Sequence, residues 1–89
     1  MSIPEEQIQK VMELLTAWNP LGKRADRIKD LNNYRTEAID ILFLLSLRGS
    51  KAGAALAVRD VLNQAFDLSL SVKECMDVGR EISTFLEAN

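Results

Sequence analysis

The chain contains no histidine, and its 89 residues include one cysteine, two prolines, four glycines and one tryptophan. The missing histidine excludes Ser-His-Asp and Cys-His nucleophilic pairs, in which an imidazole takes the nucleophile's proton. A single cysteine cannot form an intramolecular disulfide. With no histidine beside it, it also excludes a zinc site of the usual Cys/His type. Neither common pattern of glycine-rich phosphate loop occurs. The scarcity of proline and glycine argues against a disordered or low-complexity chain. The longest nearly continuous apolar run, Ala38 to Leu47, is too short to span a bilayer, and Asp40 interrupts it. The opening residues Met1-Ser2-Ile3-Pro4-Glu5-Glu6 are acidic and lack an apolar stretch, so they read as no signal peptide. A cytoplasmic protein is the expectation, with no membrane partner.

What is present suits a small globular domain. Apolar residues make up 47% of the chain and charged residues 27%, with a net charge of -2. That charge is too small to point to nucleic acid. The one basic segment carries Lys23, Arg24, Arg27, Lys29 and Arg35, with Asp26 and Asp30 interleaved. Local ion pairs on a solvated connector are expected there. No aromatic residue lies within 23–33 to stack on a base. Length and composition together predict one helical domain over residues 1–89.

The apolar spacing is helical throughout. Ile8, Val11, Met12, Leu15 and Trp18 share a stripe, which predicts a helix over 4–18. Ser2 and Glu5 are spaced as a capping box, and Pro4 fits its first turn. Asn19-Pro20-Leu21-Gly22 stops the helix, because the residue before proline is pushed out of the helical region. Residues 23–33 read as a connector, with a short helical turn near Ile28. Asn33 is a candidate N-cap for a second helix over 34–48.

That second helix is apolar on two sides. Tyr34, Ala38, Ile41, Leu42 and Leu45 line one face, and Ile39, Phe43 and Leu47 lie roughly opposite. Arg48-Gly49-Ser50 is a stop, with a glycine C-cap and a serine that can cap the next helix. A third helix over 51–66 carries Ala55, Val58, Leu62, Ala65 and Phe66 on its stripe, with Ala54 and Val61 beside it. Leu68 and Leu70 are expected to tuck under the bundle. Ser71 and Glu74 form a second capping box, opening a fourth helix over 72–86. Its stripe is Cys75, Met76, Gly79, Ile82 and Leu86, with Val78 and Phe85 flanking. Gly79 costs about 1 kcal/mol against alanine inside a helix, and a close helix crossing is the expected compensation.

Candidate sites are few. Cys75 sits on an apolar stripe, so an inert buried thiol is expected rather than a reactive one. Glu37 and Asp40 lie three apart on the second helix, where a solvated or salt-bridged pair is the ordinary outcome. A metal would need more oxygen ligands. Trp18, Tyr34 and Glu37 outline a candidate ligand corner, with a tryptophan that closes the end of the bundle as the plainer alternative.

Taken in order, Trp18-Asn19-Pro20-Leu21-Gly22, Tyr34-x-x-Glu37-Ala38, Ala65-Phe66, Glu74-Cys75 and Gly79-x-x-Ile82 resemble the YugE-like family of small bacterial proteins. The likeness spans most of the chain. It implies a bacterial helical protein of uncharacterised function, and it carries over no catalytic residue.

The expected fold is all-α: a compact bundle of four main helices with a short extra turn after the first. The expected function is a non-catalytic protein–protein interaction module that binds another protein or itself as a homodimer. Ile39, Phe43 and Leu47 supply the interaction surface. Two alternatives are an immunity- or antitoxin-like inhibitor of a partner protein, and a small-ligand binder using Tyr34, Glu37 and Asp40. No cofactor, metal or catalytic residue is expected.

Overall fold

Helical periodicity becomes four helices that close into a ring. The computed structural model describes residues 3–48 and 53–88. They form α1 (Glu5–Trp18), α2 (Arg35–Arg48), α3 (Ala54–Phe66) and α4 (Val72–Ala88), and no strand occurs among the described residues. Each helix packs on the next, and α4 returns to α1. The result is an all-α bundle of about 34 × 27 × 20 Å. One apolar core draws on all four helices, with Val11, Leu15, Ile41, Val58, Leu62 and Ile82 fully enclosed. No helix of the described residues is long and apolar enough to cross a membrane.

The ends of the helices follow the local chemistry. Asn19 and Asp67 close α1 and α3 in the left-handed conformation at φ 51° and 53°, which short polar side chains tolerate. The Asp67 turn is reinforced by Asn63, whose side-chain amide donates to the Leu70 carbonyl at 3.1 Å and accepts from the Leu70 N–H at 2.9 Å. Leu68 and Leu70 are thereby held partly buried against the core. The Ser71 capping box forms as its spacing predicts: Ser71 Oγ accepts from the Glu74 N–H at 3.1 Å, and the Glu74 carboxylate accepts from the Ser71 N–H at 3.4 Å. Ser2, Gly49, Ser50, Lys51 and Ala52 lie outside the described residues, and with them the first capping box, the Gly49 stop and the predicted start of α3. Glu5 forms a two-pronged ion pair with Arg35 at 2.7 and 2.8 Å, tying the start of α1 to the start of α2.

The expected short turn after α1 forms as a 3₁₀ segment over Gly22–Arg27, and Ile28 ends it in extended backbone while packing its side chain against the core. Two local expectations are corrected. Asn33 makes no side-chain cap; it lies inside a left-handed turn over Asn32, Asn33 and Tyr34, with φ of 48°, 56° and 66°. Two cations of the basic segment reach across the fold and not to its interleaved aspartates: Arg35, at the start of α2, pairs with Glu5, and Arg24 donates to the Phe66 carbonyl at 3.2 Å.

The predicted stripes of α3 and α4 are also rotated. Ala57 and Val78 are buried, while Ala65 is exposed and Met76 is 46% exposed. The reason lies where α3 and α4 cross. A methyl group on Gly79 would stand 2.6 Å from the Ala55 backbone nitrogen and 2.8 Å from its Cα. The missing side chain lets the two backbones touch, and that contact sets which arc of each helix faces inward. Gly79→Ala should therefore destabilise the fold by about 1–3 kcal/mol, the usual cost of overpacking, although alanine is the better helix former. Urea unfolding measures this. A gain in stability would mean that the two helices do not meet at Gly79.

Candidate functional site

The segment Trp18–Gly22 and the left-handed turn before α2 meet at one end of the bundle. Tyr34 is almost fully buried there. Its hydroxyl donates to Asn19 Oδ1 at 2.9 Å and accepts from the Leu21 N–H at 3.4 Å. Its ring meets Phe66 edge to face, with centroids 6.2 Å apart. Asn19 also donates from its amide to the Gly22 carbonyl at 3.3 Å. Trp18 lies half-buried against the same core. The candidate ligand corner of Trp18, Tyr34 and Glu37 is thus filled by protein: the tyrosine's polar atom is engaged and its ring is covered. Burial pushes the Tyr34 hydroxyl above its ordinary pKa, and the nearby Glu37 carboxylate adds to the effect against the Leu21 hydrogen bond. Sequence reasoning placed Asn19 in this corner through its Asn-Pro turn but missed Phe66 as a member of the cluster.

Glu37 is not the solvated or salt-bridged residue expected. It is 8% exposed, and its Oε1 has no hydrogen-bond partner. Burial pushes its carboxyl above the usual range. Hydrogen bonding from its own backbone N–H opposes this, and the neighbouring charges of Asp40 and Asp30 reinforce it. Asp40 itself is exposed on the outside of α2. The described residues include no group of three or more cysteine and acidic side chains placed to hold a metal ion. Glu5 shows the opposite behaviour: hydrogen bonds from Arg35 and then Gln9 hold its carboxyl down to about 2.

The face formed by Ile39, Phe43 and Leu47 divides. Ile39 is partly buried against the core, whereas Phe43 is 54% and Leu47 68% exposed. Ile28, Leu31, Leu68 and Leu70 pack on the core without enclosing these two side chains. Beside Phe43 an open groove of about 410 Å³ runs between α2 and α3, lined by Asp40, Phe43, Leu44, Val61, Gln64 and Ala65. Arg48 stands at the far end of α2 and pairs with Asp60 of α3 at 3.6 Å. This face offers apolar area flanked by separated charges. It brings together no nucleophile and base.

Cys75 is fully buried, and burial, with Glu74 as a lesser cause, raises its thiol above the ordinary value despite the opposing Arg59. A thiol reagent should label it slowly in the native protein and rapidly in guanidinium; rapid native labelling would show the α3–α4 contact to be open.

The pH behaviour of Glu37 is equally specific. A carboxyl raised in the folded state favours folding below its ordinary value of 4.5, and that contribution is lost as pH rises through the folded value. Glu37→Gln, which keeps the shape without the charge, should unfold at higher urea than the wild type at pH 7. The gap should close as pH falls below 4.5. A gap independent of pH would remove ionisation of Glu37 as its cause.

The chain matches no family model, no curated protein and no solved structure.

Proposed function

We propose that this chain is a non-catalytic protein-interaction module that associates with itself through the outer face of α2 and the groove between α2 and α3. The observation that carries the reading is the exposure of Phe43 and Leu47, four residues apart on one helix and left uncovered by every neighbouring apolar side chain. A single exposed leucine is ordinary. Two large exposed apolar side chains in line on one helix, the first of them at the wall of an open groove, are the kind of surface that water disfavours and that a protein partner covers. A twofold homodimer is the commonest arrangement, because one patch then serves both chains.

The buried positions of α2 support the same reading. Ala38, Ile41, Leu42 and Leu45 already supply its contribution to the core, so Phe43 and Leu47 are not needed to complete it. Sedimentation equilibrium on the wild type and on Phe43→Glu separates the outcomes. The wild type should sediment as a dimer and the variant as a folded monomer with unchanged helical circular dichroism. A wild type that stays monomeric at high concentration overturns self-association.

A further inference from the structure

Resting on that reading, we infer that the second copy lies across this face with its α2 antiparallel, so that Phe43 of each chain packs on Leu47 of the other and Asp40 of each pairs with Arg48 of the other.

Three observations carry the arrangement. First, the face is self-complementary in shape. Phe43 is 54% and Leu47 68% exposed on one stripe of α2, so the patch supplies two projecting apolar side chains of unlike size. A twofold axis makes that combination serve twice. Second, the two exposed apolar residues are one helical turn apart. An axis that passes α2 midway between Phe43 and Leu47 sets each phenylalanine against the other chain's leucine. A parallel pairing would instead stack like on like. Third, the charges are divided along the helix. Asp40 is exposed before the apolar pair, on the groove's own wall, and Arg48 is exposed after it. Parallel helices related by a twofold would bring Asp40 to Asp40 and Arg48 to Arg48. The antiparallel arrangement brings unlike charges together. With the axis between Phe43 and Leu47, Asp40 and the second copy's Arg48 are offset by about 3 Å along the helix, two residues of rise, which an arginine side chain spans. Arg48 remains within reach of Asp60 of its own chain at 3.6 Å, so a shared cation serves both acids across the interface.

The test uses charge reversal in both directions. Asp40→Arg alone sets two pairs of cations opposite one another, and Arg48→Asp alone sets two pairs of anions. Each variant should raise the dimer Kd by about tenfold or more, the scale of two exposed ion pairs turned repulsive. An equimolar mixture of the two variants should recover near wild-type affinity as a heterodimer, because both pairs are then of opposite sign. Mixing Phe43→Cys with Leu47→Cys chains gives a second readout that leaves the Arg48–Asp60 bridge intact: oxidation should link the two chains to each other in preference to either alone. A monomeric wild type overturns the self-association reading and this pairing together. A wild-type dimer whose affinity is unmoved by the single reversals, or not restored by mixing, and in which each cysteine variant links to its own kind, overturns the antiparallel pairing alone.

Discussion

The hydroxyl of Tyr34 holds together the end of the bundle on which the placement of α2 depends. It joins Asn19, where α1 stops, to Leu21, where the connector begins. The same ring rests on Phe66, where α3 stops. Residues 19–21 and Phe66, distant from each other and from Tyr34 in sequence, are thereby held by one side chain. The left-handed backbone of Asn32, Asn33 and Tyr34 is the cost of this arrangement. Asparagine bears such a conformation readily, but for a bulky residue it is unfavourable by about 1–2 kcal/mol. Burial of an aromatic ring with both polar functions of its hydroxyl satisfied offsets that strain. The turn aims α2 into the bundle with Ala38, Ile41, Leu42 and Leu45 inward, and the same rotation leaves Phe43 and Leu47 outside.

At the other side of the molecule the controlling feature is an absence. Gly79 has no side chain where Ala55 approaches, and the two backbones meet. This contact carries the most extensive helix pair in the fold and encloses Cys75 and Ile82 completely. A chain of 89 residues has little core to spare, so a close crossing raises packing density without adding mass. The inert setting of the thiol is a by-product of that crossing.

The two glutamates that depart from ordinary behaviour illustrate how differently the surface and the interior treat one functional group. Glu5 lies at the surface with a guanidinium in two-pronged contact and stays ionised far into acid. Glu37 lies inside, with one oxygen unpartnered and two more carboxylates nearby, and resists ionisation. A buried acid with one oxygen unpartnered works against stability at neutral pH, so the fold carries it at a cost that the rest of the core must cover. The outer face of α2 carries a similar cost in exposed apolar area, and association with a second copy would relieve it.

The sequence by itself determined the helical class, the number of main helices and most of their limits. Those properties are local: a period of 3.6, a proline after Asn19, and a serine three residues before Glu74 act on their own neighbourhoods. It also determined which side chains of α2 could not all be buried together, because Ile41 and Phe43 point to different sides of any helix. Tertiary structure decided what depends on more than one segment. The rotation of α3 and α4, which buries Ala57 and Val78 and leaves Ala65 and Met76 out, comes from where the Gly79 crossing falls and not from either helix alone. Glu37 lies three residues after Tyr34 and four before Ile41, so spacing sets it at the edge of the buried face, but only the tertiary packing encloses it and leaves its Oε1 without a partner. The left-handed turn at Tyr34 exists because Asn19, Leu21 and Phe66 are there to receive the ring and its hydroxyl. Periodicity reports which residues share a face, and only the neighbouring segments decide which face is covered.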